Sequence, residues 1–117
     1  ALAREYYASI DAGEYDRLAG LLARDFQQVR GDRTIEGRDA FVRFMREERP
    51  ETDTTHEVEA VYRTDAADQV AVRGRLRQVD RSTWFGFVDV LEVADGRLSR
   101  LVTYTNSRVA ETAAPPE

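Results

Sequence analysis

The sequence predicts an α+β fold with helices in its first half and an antiparallel sheet in its second. Three observations predict this class. Apolar residues recur at helical spacing through residues 1–49. From residue 55 onward they alternate with polar residues, as in strands with one buried face. Finally, Asp95-Gly96 between two apolar runs is the strongest short signal for a β-hairpin.

The length of 117 residues allows one hydrophobic core. We therefore expect a single domain over residues 1–109, with a frayed tail over residues 110–117. The apolar share of 42% indicates a folded chain. No run approaches the roughly 18 consecutive apolar residues that a membrane-spanning helix needs, so we predict no membrane partner.

The charged residues argue against nucleic-acid binding. All 17 basic residues are arginines, and 22 acidic residues give a net charge of −5. The two signs are interspersed and leave no basic stripe, so no nucleic-acid partner is predicted. Cysteine is absent, which excludes disulfides and thiolate metal sites and fits a cytoplasmic protein.

Two helices are predicted at the start of the chain. Leu2, Tyr6 and Ile10 lie on one face of the first, and Gly13 suits the left-handed position just past its end. The inner stripe of the second helix consists of Tyr15, Leu18, Leu21 and Leu22.

A short strand pair and a third helix follow. Residues 25–30 read as a strand, and residues 31–37 as a turn with a small return strand. The third helix is predicted from Arg38 to Glu48, stopping before Pro50. Its inward residues are Phe41, Phe44 and Met45.

The next two strands alternate along residues 55–63 and 69–79. The first places His56, Val58, Ala60 and Tyr62 on one face. The second separates Val70, Val72, Gly74 and Leu76 from Arg73, Arg75 and Arg77. We interpret these arginines as a solvated face paired with Glu57 and Glu59, in preference to a ligand-binding patch.

The Asp95-Gly96 turn predicts the register of the last two strands. Counting back from the turn pairs Asp89 with Val102, Phe87 with Tyr104, and Phe85 with Asn106. One face then holds Phe85, Phe87, Asp89, Leu91, Val102, Tyr104 and Asn106. The other holds Trp84, Val88, Val90, Leu101, Thr103 and Thr105. Because both faces are apolar, we expect helices on one side and a homodimer partner on the other, over Trp84, Val88 and Val90.

Asp89 is the most informative single residue, because a carboxylate in an apolar strand needs compensation. It is either a structural aspartate bonded to a tyrosine or arginine, a group lining a ligand pocket, or a surface residue on a strand whose alternation is misread. His56 is the only histidine. It is either a hydrogen-bonded structural residue or a proton carrier near neutral pH.

The order of these elements resembles the NTF2-like superfamily, which includes ketosteroid isomerases, SnoaL-type polyketide cyclases, scytalone dehydratase and limonene epoxide hydrolases. The resemblance covers nearly the whole chain and rests on "YYASIDAGEYDRLAGLLARDF", "GRDAFVRFM" and "FVDVLEVADGRLSRLVTY". It implies a cone-shaped barrel in which a curved, mostly antiparallel sheet is covered on its concave face by the three helices of the N-terminal half. It also implies frequent dimerisation.

Two positions resemble ketosteroid isomerase in particular. Tyr6 lies seven residues before the glycine of the "DAG" turn, where that family has its oxyanion tyrosine. Asp89 matches the aspartic acid that is held neutral by its apolar surroundings and donates to the developing enolate. The family's general-base aspartate falls at Arg30, which cannot act as a base at neutral pH. The resemblance therefore does not extend to the steroid isomerase reaction.

The sequence thus predicts a SnoaL-like small-molecule pocket protein. Its candidate activity is that of a cofactor-independent isomerase, cyclase or hydrolyase, with Asp89, His56 and Tyr6 as catalytic residues and without a cofactor or metal. The candidate ligand-binding residues are Tyr104, Asn106, Phe87, Phe85, Tyr62 and Phe41, which suit a small apolar or aromatic ligand. A non-catalytic ligand-binding or dimerisation module is the alternative of equal weight, and a protein adaptor like nuclear transport factor 2 ranks last.

Overall fold

The computed structural model describes residues 2–31, 33–48, 54–65, 68–78, 80 and 82–106. It confirms the α+β class and the predicted order of elements. The helices and strands are α1 (Leu2–Asp11), α2 (Tyr15–Leu21), β1 (Leu22–Arg30), β2 (Arg33–Glu36), α3 (Arg38–Arg43), β3 (Thr55–Arg63), β4 (Gln69–Arg77), β5 (Thr83–Ala94) and β6 (Arg97–Thr105).

The end of α1 follows from the glycine after it. Gly13 has φ +70°, and its N–H donates to the Ile10 carbonyl at 3.1 Å. The next N–H, of Glu14, reaches back to the Ser9 carbonyl at 2.8 Å. These two bonds form a Schellman motif, which satisfies carbonyls that the helix end leaves without a partner. The prediction that Leu22 belongs to the second helix is wrong. Leu22 has extended backbone and is the first residue of β1.

The third helix is less regular than predicted. It is α-helical only as far as Arg43 and continues as a π-helical turn over Phe44–Glu48. Phe41 and Met45 are buried as expected. Phe44 is only half-buried, and the Arg33 guanidinium lies 4.9 Å from the centre of its ring. The predicted stop before Pro50 lies outside the described residues.

The six strands form one sheet in the order β2-β1-β6-β5-β4-β3. Neighbouring strands are antiparallel except β1 and β6, which run parallel. The apolar face of this sheet packs against the helices, and we call it the inner face. Its fully buried members include Val72, Leu76, Leu91, Leu98 and Leu101, which join Ile10, Leu18, Phe26 and Phe41 in one core. This arrangement is consistent with the cone fold of NTF2-like proteins.

The turn between β5 and β6 has the predicted form. Asp95 has φ +53° and Gly96 has φ +79°, so both central residues occupy the left-handed region that a type I′ turn requires. Ala94 accordingly pairs with Arg97.

The opposite, outer face of β3 and β4 carries the predicted ladder of opposite charges. Arg75 contacts Glu59 at 2.7 Å, and Arg77 contacts Glu57 at 2.7 Å. Arg73 approaches the same Glu59 at 3.5 Å. The interpretation of these arginines as a solvated, paired face is therefore confirmed.

A β-bulge in β3 overturns the predicted face of Tyr62. Val58 pairs with Gly74 and Ala60 with Arg73, so Glu59 is an extra residue between them. Beyond this bulge the alternation is reversed. Val61 then lies opposite Val72 on the inner face, whereas Tyr62 is 49% exposed.

Within the described part of the chain, no helix has the length and apolar character needed to cross a membrane. The predicted tail at residues 110–117 lies outside the described residues. The domain boundaries therefore stay predictions.

Candidate functional site

Asp89 lies on the inner face of β5 and is only 4% exposed. Its Oδ2 accepts a hydrogen bond from the Tyr7 hydroxyl at 2.6 Å, and its Oδ1 accepts one from the Thr103 hydroxyl at 2.6 Å. Such short O–H···O distances are typical of an ionised acceptor. The interpretation of Asp89 as a surface residue is therefore wrong, because the carboxylate is buried and hydrogen-bonded to the Tyr7 and Thr103 hydroxyls.

The predicted register of β5 and β6 is wrong by one residue at Asp89. Val93 pairs with Leu98 but Glu92 pairs with Arg100, so Ser99 is an extra residue in β6. Its hydroxyl donates to the Glu92 carbonyl at 3.2 Å, which ties the bulge to the neighbouring strand. Beyond the bulge Asp89 pairs with Thr103, not with Val102.

This shift moves two predicted ligand-binding residues away from Asp89. Tyr104 lies opposite Val88 on the outer face and is 60% exposed. Asn106 is also exposed, and its Oδ1 accepts the Gly86 N–H at 2.9 Å. Tyr62 likewise faces outward, near the Arg73 guanidinium. None of these three residues lines the cavity at Asp89, in contrast to the prediction.

On α1 the Tyr7 hydroxyl donates to Asp89, and Tyr6, which the resemblance suggested, lines the same cavity. Both side chains are 3% exposed, and their rings meet edge to face with centroids 5.0 Å apart. Tyr6 turns toward Phe41, whose ring lies 6.4 Å away, and it lines the cavity at Asp89. The two tyrosines therefore contribute different contacts to the same site.

His56 is held by the last residue of α1. Its Nδ1 lies 2.7 Å from Asp11 Oδ1, and its backbone N–H donates to Asp11 Oδ2 at 2.9 Å. The imidazole is 6% exposed and packs between the rings of Tyr7 and Phe87, at 5.1 Å and 5.7 Å. A carboxylate at this distance from Nδ1 favours the tautomer that carries its proton on Nδ1.

Asp89 and His56 line one small cavity beneath α1. Its polar lining consists of Tyr6, Gln28, Arg30, His56, Asp89 and Thr103, and Phe87 forms part of its apolar wall. The cavity has a volume of about 10 Å³, counted as the space that the centre of a water molecule can occupy, so it has room for about one water molecule. The site is therefore polar, buried and nearly closed.

Two residues of β1 bring further polar groups to this cavity. Gln28 is 3% exposed, and its Oε1 forms no hydrogen bond with the described residues. Arg30 is 5% exposed and places its guanidinium 5.0 Å from the centre of the Phe85 ring. Through strand pairing Arg30 lies beside Thr103, which in turn lies beside Asp89. The buried cation of Arg30 and the buried carboxylate of Asp89 are therefore both cross-strand neighbours of Thr103.

The remaining predicted residues are core residues near the site. Phe85 is 3% exposed beneath Arg30, and Phe41 is fully buried against Phe26 with ring centres 5.0 Å apart. Neither lines the cavity itself.

The sequence analysis missed Tyr7, Asp11 and Thr103. A signal for Asp11 was available, because an acidic residue at the C-terminal end of a helix is disfavoured by the helix dipole and needs a reason to be there. No local signal distinguishes Tyr7 from Tyr6, since both can face the core. Thr103 depended on a bulge that the alternation of residues does not reveal.

Across the described residues, no group of three His, Cys, Asp or Glu side chains is placed to bind a metal ion. The site is instead a set of single donors and acceptors of protons.

Comparison with known proteins agrees with the fold. A family model described as a SnoaL-like domain matches residues 3–101. The chain belongs to this SnoaL-like family. A search of curated proteins found no match.

Solved structures of similar fold cover most of this SnoaL-like chain. A protein from Kribbella flavida DSM 17836, provisionally described as a ketosteroid isomerase, is 27% identical with a TM-score of 0.78, over 99% of this chain and 80% of that one. A provisionally described polyketide cyclase from Xanthomonas campestris pv. campestris is 19% identical with a TM-score of 0.76, over 90% and 87%. An NTF2-like protein of unknown function from Cytophaga hutchinsonii ATCC 33406 is 13% identical with a TM-score of 0.76, over 92% and 88%. The last two likenesses concern the fold alone.

Proposed function

We propose that this SnoaL-like protein binds a small apolar or aromatic molecule at the cavity of Asp89 and His56 and catalyses cofactor-independent proton transfer at a carbon acid. The observation that carries the proposal is that two proton-accepting side chains, both more than nine-tenths buried, line the same cavity. Buried groups of this kind are costly to the fold and are concentrated at functional sites.

His56 is the base in this proposal. Asp11 accepts the Nδ1 proton and holds the ring in place, so that Nε2 can take a proton from the substrate carbon. The same nitrogen can return that proton to a second carbon, which completes an isomerisation without any other reactant. Asp89 is the second proton-accepting group, kept in position by Tyr7 and Thr103.

The negative charge that develops on the substrate oxygen needs hydrogen-bond donors. Tyr6 and Arg30 both line the cavity and supply a hydroxyl and a guanidinium. This differs from the isomerase pattern expected from the resemblance, because Asp89 accepts the hydrogen bonds from Tyr7 and Thr103 instead of donating them. Gln28 Oε1, which has no partner among the described residues, suits a donor group on the ligand.

A non-catalytic ligand-binding or dimerisation module is a second candidate, and the small volume of the cavity favours its dimerisation form, which needs no ligand there. About 10 Å³ admits a water molecule but no organic substrate, and both oxygens of Asp89 already accept hydrogen bonds. Catalysis therefore requires the cavity to open when a ligand enters. Without such opening, Asp89 and His56 have only a structural role, as hydrogen-bond partners of Tyr7, Thr103 and Asp11.

Exchange of carbon-bound hydrogen in D₂O tests the enzymatic proposal without knowledge of the substrate. A panel of small cyclic and aromatic ketones is incubated with the protein and followed by NMR. We expect exchange above the buffer rate for at least one ketone, loss of that exchange in His56→Asn, and a reduction in Asp11→Asn. Tyr62→Phe, on the outer face, serves as the matched control and should exchange like the wild type. Exchange that is equal in the wild type and His56→Asn contradicts the proposal.

Stability measurements separate function from packing at the same residues. If activity selected these polar groups, His56→Ala and Tyr6→Phe should each stabilise the fold while abolishing exchange. Asp89→Asn should also abolish exchange but lose some stability, because its amide keeps only one acceptor oxygen for the Tyr7 and Thr103 hydroxyls. Binding of a ketone at the cavity without any exchange supports the binding module instead. Destabilisation by all three changes, with neither binding nor exchange, supports a structural role.

We further propose that the protein forms a homodimer through its outer sheet face. Trp84 and Val90 are half-buried there, Val88 is 38% exposed, and Tyr104 lies beside Val88. Val88 and Tyr104 also line an open cavity of about 460 Å³, whose other members include Glu59, Arg73 and Arg75. Exposed apolar patches of this kind mark interaction surfaces. Sedimentation should show a dimer that Val88→Asp dissociates, and a wild-type monomer contradicts the proposal.

The absence of cysteine supports a cytoplasmic location.

A further inference from the structure

A second cavity lies at the start of α1, at the other end of that helix from Asp11. It has a volume of about 430 Å³, within the range of small-molecule sites. It shares no lining residue with the cavity of Asp89 and His56. An inference about this cavity is therefore independent of the function proposed above.

The interior of this cavity is apolar. Leu91 and Leu98 form its floor and are each 1% exposed. Half-buried Leu2, Val61, Val70 and Val93 line it from the helix and the inner face of the sheet. Among the residues that the structure describes, no carboxylate lines it, although the chain has more acidic than basic residues. We call this cavity the apolar groove.

Two cations stand at the apolar groove. Arg4 on α1 and Arg63 at the end of β3 line it, and both are exposed. Neither guanidinium forms an ion pair with another described residue, whereas the arginines of the outer ladder are paired. The two positive charges come from different elements, α1 and β3.

We propose that the apolar groove binds an amphipathic carboxylate, such as a medium-chain fatty acid. The alkyl chain lies against Leu91 and Leu98, and the carboxylate meets Arg4 and Arg63. The arginine fork matches the two oxygens of a carboxylate, and burial of methylene groups supplies the affinity. The cavity lies between one helix and the sheet, which suits a single chain and not a membrane surface.

Titration with decanoate tests this assignment, with decanol and decyltrimethylammonium as neutral and cationic probes of similar chain. Binding is followed by the backbone amide shifts of Ala3, Val61 and Leu98. We expect decanoate to bind about ten-fold more tightly than decanol and the cationic probe to bind least. Along a series from hexanoate to decanoate, affinity should rise about three- to four-fold with each methylene that is buried.

Charge reversal at Arg4 and Arg63 provides the matched variants. Arg4→Glu with Arg63→Glu should lower decanoate affinity about ten-fold or more and leave decanol affinity unchanged. Arg24→Glu, an exposed arginine on β1, is the control and should bind like the wild type. Because all three positions are exposed, these variants keep the fold.

Four outcomes overturn the proposal. The first is that decanoate binds no better than decanol. The second is that the amide shifts caused by decanoate occur at Asp89 and His56 and not at the residues of the apolar groove. Shifts of the groove residues that depend on protein concentration alone indicate that a second copy fills it. Binding to phosphatidylglycerol vesicles without binding of monomeric decanoate indicates a lipid surface instead.

Discussion

The inner and outer faces of the sheet both carry carboxylates with close partners, yet water reaches only one of them. Asp89 receives two hydroxyl groups at 2.6 Å while 4% exposed. Glu59 contacts Arg75 at 2.7 Å, but the two side chains are 29% and 50% exposed. Distance alone therefore says little about strength. Exposed pairs are screened by water and salt, whereas a buried acceptor that disappears leaves its donors unsatisfied.

Removal of the inner carboxylate should have the largest effect. Asp89→Ala leaves the buried hydroxyls of Tyr7 and Thr103 without their acceptor, at about 1–3 kcal/mol each. We expect the free energy of unfolding to fall by about 2–5 kcal/mol in urea denaturation. Asp89→Asn, which keeps an acceptor oxygen, should lose less. Equal losses in the two variants would show that the hydroxyl bonds do not stabilise the fold.

Deletion of one donor should have the next largest effect. Thr103→Val keeps the shape of the side chain but removes its bond to Asp89, and should cost about 1.5–3 kcal/mol. Thr103→Ser retains the hydroxyl and should recover part of that stability. If valine and serine behave alike in thermal unfolding, the contribution of this bond is refuted.

Space on the inner face can be tested at Gly74. A Cβ added there would clash with the Glu57 carbonyl oxygen and lie 2.8 Å from Phe87 Cζ, which is also too close. Gly74→Ala should destabilise the protein by about 1–3 kcal/mol. The control is Gly20→Ala at an exposed position of α2, where the added Cβ would meet no atom within 4 Å apart from its chain neighbours and the backbone of its own helix. It should stabilise by about 0.5–1 kcal/mol.

The outer ladder should respond weakly. Glu59→Gln removes the charge that Arg73 and Arg75 share, and should cost about 0.2–1 kcal/mol at low salt. The difference should vanish in 1 M salt because exposed charges are screened there, where the Debye length is about 3 Å. A loss as large as that of Asp89→Ala would remove the contrast between the two faces.

The smallest effect is expected at Asp80, in the connection between β4 and β5. The Ser82 hydroxyl and N–H donate to its carboxylate at 2.6 Å and 2.9 Å, which holds the pKa of Asp80 below its ordinary value of 3.8. Because the folded pKa is the lower one, the associated stability is present above pH 3.8 and is lost as the pH falls through the folded pKa. Ser82→Ala should raise the pKa of Asp80 in an NMR titration. An unchanged value would mean that the hydroxyl does not contribute.

Features that depend on a few adjacent residues were predictable. Gly13 ends α1 and Asp95-Gly96 forms the last turn because glycine and aspartate tolerate positive φ angles locally. The charge ladder of β3 and β4 followed from simple alternation. The alternation failed where a residue was inserted, at Glu59 and at Ser99. Each bulge reversed the faces beyond it, and one of them replaced Val102 with Thr103 at Asp89.

The sequence by itself determined the order of the elements, the apolar setting of Asp89 and the membership of His56 in the inner face. These features follow from the periodicity of apolar residues and from the cost of burying polar groups, and both can be read from residues that are close together in the sequence. Only the tertiary structure decided that Tyr7, Thr103 and Asp11 are the partners. Those contacts join residues 14 to 82 positions apart, and they depend on helix rotation and strand bulges that packing fixes after the elements meet.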